Sequence, residues 1–264
     1  MFQYEFMQKA FLVGGALAII MPLMGLVIVL RRLSMLGDAL SHSSLTGITA
    51  GLAFGFNPIV GAVISTILAA FGIEVIRKKL PQYSDISIAI ITSAGLGIAG
   101  ILTSFVSNAT GFNSFLFGSI VSIKNSELIF VLSLSLIVLI SLIILSRDLF
   151  FIAIDERGAI LSGVPVNFIN TIFTILTAIT IAIASRTVGA LIVSSIMVIP
   201  VASSMQLTDS FKKTALLSVM FGLIATFLGL TISFYLGLKP GACIVLISLV
   251  ILISSIALKN ILKK

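Results

Sequence analysis

Long apolar windows alternate with short polar connections along the whole chain. A helix needs about 20 residues to cross ~30 Å of hydrocarbon, and windows close to that length lie at 11–30, 36–55, 58–76, 86–107, 126–146, 166–185, 188–207, 214–236 and 241–258. This pattern predicts an all-α, polytopic transmembrane helical bundle. A further apolar stretch at 111–127 is short and predicts a re-entrant or interfacial helix, so we expect eight to ten spans.

The composition agrees with a membrane protein and excludes a soluble one. Hydrophobic residues make up 59% of the chain and charged residues 9%, whereas a soluble domain has about 25% charged residues. No connection is long enough for a soluble domain, so we expect one transmembrane domain over 1–264, embedded in the lipid bilayer. Cys243 is the one cysteine, which excludes an internal disulfide.

The net charge of +7 indicates membrane topology rather than nucleic-acid binding, because the basic residues lie between the apolar windows. Cytoplasmic connections of membrane proteins carry an excess of Lys and Arg. An outside N-terminus and an inside C-terminus place most of the 16 basic residues on the cytoplasmic side. The exceptions, which would then lie outside, are Lys9, Lys124, Arg186 and Lys239.

The second window carries a polar row that lipid cannot accommodate. Asp38, His42 and Thr46 recur at four-residue spacing and share one helix face, and His42 is the only histidine. Exposing the acid to lipid would cost at least ~2.5 kcal/mol, so the row must face protein or a water-filled cavity. If the helix begins at Ser34, a rise of ~1.5 Å per residue puts Asp38 about 6 Å and His42 about 12 Å inside the cytoplasmic end.

A row of small residues runs beside the polar row, at Ala39, Ser43, Gly47, Gly51 and Gly55. Small residues let helix backbones approach closely in membranes. We therefore expect the second window to lie against a neighbouring helix along this row.

The residues alone leave several interpretations of the Asp38 and His42 pair open. Asp38 could stabilise the N-terminal end of the helix, with Ser34 as the cap, which leaves His42 unexplained. The pair could be the relay of a proton- or sodium-coupled secondary carrier. It could also bind a metal, because carboxylate oxygen and imidazole nitrogen suit zinc, manganese or ferrous iron. A membrane scaffold without transport would leave the polar row unexplained.

The connection at 150–168, FFIAIDERGAILSGVPVNF, is the second unusual feature. Its polar and small centre predicts either a solvated connector or a short helix along the cytoplasmic face that docks a partner. The chain contains no G-x-x-x-x-G-K-[ST] phosphate loop. We therefore expect no enzymatic activity in this chain, and any nucleotide chemistry would come from another one.

Five sequence blocks follow the order of one known family across nearly the whole chain: GDALSHSSLTGITAGLAFG in the second window, LFGSI (116–120), DERGAILSGVP (155–165), VGALIVSSIMVIPVA (188–202) and SFYLGLKPGACIVL (233–246). They resemble the permease subunits of zinc/manganese/iron-type bacterial ABC importers. The first block, which is similar to the family's second-span signature, is the most specific.

The resemblance implies a transporter of several components. It implies a homodimer of permeases in the bacterial cytoplasmic membrane, with cytoplasmic ABC ATPase subunits and an extracellular or periplasmic metal-binding protein. Zinc, manganese or iron would be cargo rather than a permanently bound cofactor. Asp38 and His42 would lie on the metal path. The coupling segment for the ATPase would comprise Asp155, Glu156, Arg157, Ala159, Gly163 and Val164.

The chain departs from the family pattern at three places. Thr46 replaces the proline of the second-span signature, and Ile199 is followed by Pro-Val-Ala instead of Pro-Ala-Ala. Gly237 and Lys239 replace an acidic residue and a proline. The missing outer carboxylate at Gly237 leaves the choice among the three metals open.

Overall fold

The computed structural model describes residues 1, 3–80, 83–106, 125–190 and 192–262. Within these ranges the chain is helical and contains no strand. The α-helices of these ranges, from α1 to α10, are Glu5–Leu30, Leu36–Phe54, Pro58–Lys79, Ser84–Thr103, Asn125–Ile154, Glu156–Leu161, Val166–Ala184, Val193–Met205, Phe211–Leu236 and Pro240–Leu262. The predicted all-α fold is confirmed.

Seven of the described helices are long and apolar enough to cross a membrane: α1, α3, α4, α5, α7, α9 and α10. α2 is long enough but carries Asp38, His42 and several hydroxyl side chains. α8 has 13 residues, about 20 Å of helix, so the window at 188–207 is not one full span. Most of the stretch at 111–127, through residue 124, lies outside the described residues. The total of eight to ten spans and the orientation stay predictions.

The helical path is interrupted between α7 and α8. A π-helical turn at Ser185–Gly189 follows α7, and Gly189 has a φ of 107°, a conformation that favours glycine. Val188 and Ile192, on either side, are buried. A membrane protein tolerates such an interruption where protein or water surrounds it, and here protein does.

α1 is the central helix of the bundle. Its residues Leu17, Met21 and Met24 are at most 2% exposed. It packs against α5, α8 and α9, and α9 packs in turn against α10. α2 belongs to a second group: it packs mainly against α3 and α4, and less extensively against α7 and α8. This second group positions the polar row.

The small residues of α2 form its seam with α3. A Cβ atom on Gly47 would collide with the backbone carbonyl of Gly61, and one on Gly51 would lie 2.7 Å from Pro58 Cα. Gly55 has a φ of 75° and ends α2 in the left-handed conformation. The predicted packing row is therefore confirmed for its glycines within the helix, while Gly55 serves the turn.

Candidate functional site

α2 places Asp38 in its first turn and His42 one turn later. His42 Nε2 and Asp38 Oδ2 lie 3.7 Å apart, which is longer than a hydrogen bond. The side chain of His42 is 16% exposed and that of Asp38 is 37% exposed. The two groups are therefore neighbours on one face, and the carboxylate keeps an open side.

The second ring nitrogen of His42 has an unusual environment. His42 Nδ1 is buried and has no hydrogen-bond partner in the described part of the chain. Leaving a buried polar atom unpaired costs roughly 1–3 kcal/mol. A metal ion bound by the imidazole, or a polar group from another chain, would remove this cost.

Helix capping does not explain the pair. The N-cap of α2 is Met35, and no side chain caps the first turn, so the interpretation of Ser34 as the cap is wrong. Asp38 does lie in the first turn, where the helix dipole favours a carboxylate. That role leaves His42 without an explanation, as it did at the level of the sequence.

Thr46 joins the polar row to α4. Its Oγ1 donates a hydrogen bond to the Gly95 carbonyl at 2.7 Å. A Cβ atom on Gly95 would lie 3.4 Å from Ser43 Cα, so α4 approaches α2 closely here. A proline at position 46, as in the family signature, could not make this bond. The end of the row thus faces protein, as predicted.

The pair by itself supplies two metal ligands. No group of three or more His, Cys, Asp or Glu side chains in the described ranges could hold a metal ion. Zinc sites use four ligands, and harder or larger ions often use more. Further ligands would have to be hydroxyl or carbonyl oxygens, water, or groups of a second chain.

The start of α2 lies inside the bundle rather than at its end. A Cβ atom on Gly37 would lie 2.5 Å from Met197 Cε and 3.4 Å from Ser194 Cα. Because α8 continues to Met205, it extends about 12 Å beyond Met197 along its axis. Met197 is 1% exposed, so it is a packed residue of the bundle interior. Asp38 and His42 therefore lie deeper than their distance from residue 36 suggests.

α6 is the short helix expected in the connection at 150–168. The Asp155 carboxylate caps it, accepting a hydrogen bond from Gly158 N at 2.9 Å. Gly163 has a φ of 81°, and Val164 N–H donates to the Ala159 carbonyl at 3.1 Å, as in a glycine-terminated helix end. The segment is therefore an ordered element with a cap at each end.

The predicted coupling residues divide between the two faces of this segment. Glu156 and Arg157 are exposed, whereas Ala159 is fully buried and holds α6 against the bundle. Two exposed apolar residues were not predicted: Ile160 is 58% exposed and Leu161 is 88% exposed. A helix of six residues is too short for periodicity to reveal them.

Gly237 has a structural role at the end of α9. It has a φ of 65° and ends α9 in the left-handed conformation. Glycine adopts that conformation without steric cost, so Gly237 suits the turn at the end of α9.

A sequence profile described as the ABC 3 transport family matches residues 3–259. The chain belongs to the ABC 3 transport family. Two relatives have similar lengths. The probable metal transport system membrane protein of Treponema pallidum (strain Nichols) is 35% identical over 99% of this chain and 98% of its own. The manganese transport system membrane protein MntC of Listeria monocytogenes is 29% identical over 94% and 89%.

A solved structure shares the fold of this ABC 3 family member. PsaBC from Streptococcus pneumoniae in complex with Fab matches it with a TM-score of 0.85 and 28% identity, over 96% of this chain and 91% of the other. The resemblance to metal-importer permeases is confirmed, and the chain is a multi-pass membrane protein of that kind.

Proposed function

We propose that this ABC 3 family chain is the permease through which a divalent transition metal enters the bacterial cytoplasm, driven by ATP hydrolysis in a separate subunit. The observation that carries the proposal is the Asp38 and His42 pair, half open on a helix too polar to face lipid. Relatives named for metal and for manganese transport support it. Zinc, manganese and ferrous iron all suit a carboxylate with an imidazole.

Two copies of the chain would together complete the metal-binding site. A two-fold dimer presents the same patch twice, so an axis near the pair would bring two carboxylates and two imidazoles to one ion. The open side of Asp38 and the unpaired Nδ1 of His42 support this arrangement. An ion passing between the copies would then exchange its water for four protein ligands.

The ATPase would drive transport by binding at α6. Its exposed charged residues Glu156 and Arg157 and the exposed apolar side chains of Ile160 and Leu161 form a mixed surface suited to a protein partner. An ATPase bound there would displace α6 as it closes on ATP. A metal-binding protein outside the cell would deliver the ion to the opposite face.

A proton- or sodium-coupled carrier is the second candidate. The 3.7 Å between acid and imidazole is a small side-chain movement from the hydrogen-bond distance that direct proton transfer needs. Such a carrier has no use for a capped docking helix with Leu161 in solvent, so α6 favours the ATP-driven importer.

Reconstitution of the permease and its ATPase in proteoliposomes tests the proposal. We expect manganese(II) uptake that requires ATP and proceeds without a pH or sodium gradient, and competition by zinc(II) and iron(II) would rank the metals. Uptake that follows a proton or sodium gradient and ignores ATP would establish the carrier instead.

A further inference from the structure

A half-buried charged cluster lies at the predicted cytoplasmic end of the bundle. Arg31, which follows α1, donates from Nη1 to Asn170 Oδ1 of α7 at 3.0 Å. Glu74 of α3 is 9% exposed; its carboxylate lies 3.3 Å from Lys78 Nζ and accepts a hydrogen bond from Thr174 Oγ1 at 3.5 Å. The cluster thus connects the ends of α1 and α3 to α7.

The cluster surrounds a small cavity that does not suit a cation. The cavity has a volume of about 30 Å³, the size of a single water molecule. Arg31, Arg77 and Glu74 line it, so two guanidinium groups face one carboxylate. The net positive charge here would repel a divalent metal ion. The cluster therefore has a role other than binding the transported metal.

Arg31 is connected to α6 by charge and by packing. Burial and the nearby Arg77 lower the pKa of Arg31, whereas Glu156 and Glu74 act in the opposite direction. Glu156 is the first residue of α6. α6 packs against α7, and α7 carries Asn170, the residue that accepts a hydrogen bond from Arg31, so a displacement of α6 would shift the partner of the Arg31 guanidinium.

A tight turn separates Arg31 from α2. Leu33 N–H donates to the Ile28 carbonyl at 2.9 Å, and Leu36 N–H donates to the Leu33 carbonyl at 2.8 Å. Leu36 and Leu40 of α2 line the same cavity as Arg31. Because these hydrogen bonds fix the backbone between Arg31 and α2, a movement of Arg31 would also move the start of α2.

We propose that Arg31 and Glu74 are positioning residues for transport, which pass the displacement of α6 to α2, the helix that carries Asp38 and His42. The proposal rests on the proposed function, because it takes α6 as the contact with the ATPase. A cluster that only stabilises the fold would leave the number of metal ions moved per ATP hydrolysed unchanged. That ratio therefore separates the two roles.

The test measures manganese(II) uptake and ATP hydrolysis together, in proteoliposomes that contain the permease and its ATPase. In Arg31→Met and in Glu74→Gln we expect ATP hydrolysis near the parent level and uptake per ATP lower by roughly two- to thirtyfold, the range of coupling changes caused by substitutions between sites. Arg31→Lys should recover part of the ratio, since an ammonium keeps the charge and can donate to Asn170.

Arg32→Met is the matched control, because Arg32 is the exposed neighbour of Arg31, and it should keep the parent ratio. An unchanged ratio in both Arg31→Met and Glu74→Gln would overturn the proposal, as would uptake and hydrolysis that fall together with the melting temperature. If Arg31→Met does not fold, Glu74→Gln, which keeps the side-chain shape, decides by the same ratio. A parent complex without ATP-driven uptake would overturn the proposed function, and this inference with it.

Discussion

Asp38 is a residue at which two physical roles overlap. A carboxylate in the first turn of a helix stabilises it by about 0.3–1 kcal/mol through the helix dipole. The same carboxylate lies one turn from the only imidazole of the chain. The dipole role predicts a small effect on stability, and the ligand role predicts a large effect on transport.

Asp38→Asn separates these roles, because it removes the charge and nearly keeps the shape. We expect the free energy of unfolding to change by no more than about 1 kcal/mol and metal uptake to fall at least about tenfold. Thermal melting and manganese(II) uptake measure the two effects. Asp85→Asn is the matched control, since Asp85 is an exposed acid in the first turn of α4. Equal metal uptake by Asp38→Asn and Asp85→Asn would mean that Asp38 acts only through the helix dipole.

Residue spacing predicted the neighbourhood of Asp38 and His42, but not the environment of either side chain. The unpaired Nδ1 of His42 and the depth of the pair depend on where Met197 of α8 packs, and a long-range contact leaves no local signal. Residue spacing likewise does not predict the environment of Glu74. With Arg77 and Lys78 nearby it has the pattern of a surface pair, yet tertiary packing buries it.

The contact between α2 and α3 is the element on which the position of the polar row depends. Gly51→Leu should force the two helices apart, because even a Cβ atom would lie 2.7 Å from Pro58 Cα. We expect a loss of about 1–3 kcal/mol, as for other overpacked sites, seen as a lower melting temperature in detergent. Gly97→Leu is the control, since a Cβ atom there has no neighbour within 4 Å. Equal melting temperatures would mean that this seam is not tightly packed.

The exposed apolar surface of α6 leads to a separate prediction about binding of the ATPase. Leu161→Asp places a charge on its most exposed apolar side chain, which is 88% exposed, and should weaken binding of the ATPase at least about fivefold, as loss of a central contact does. Co-purification of the ATPase measures this. Leu161→Met keeps the apolar character and should bind like the parent. Undiminished binding by Leu161→Asp would place the ATPase contact elsewhere.

At the scale of the whole molecule, the apolar windows located the long helices because membrane spans are long and their hydrophobicity is a local property. The prediction was wrong at 188–207, because Val188 and Gly189 belong to the π-helical turn at Ser185–Gly189 and α8 begins only at Val193. Helix ends set by glycine geometry, such as Gly189, depend on backbone conformations that hydrophobicity does not report.

The whole account depends on one arrangement: a metal path through α2, driven from α6 through the packed helices that connect the two. His42 is the only residue that can contribute an imidazole from this chain. His42→Ala therefore removes a ligand type that no neighbouring residue can replace, while its position on a partly open face should let the chain fold.

The most direct test is ATP-driven manganese(II) uptake by reconstituted complexes that contain the parent or His42→Ala permease, with ATP hydrolysis measured in the same vesicles. The account predicts that His42→Ala retains the bound ATPase and hydrolyses ATP but loses uptake by at least about tenfold. Uptake by His42→Ala equal to that of the parent would contradict the account.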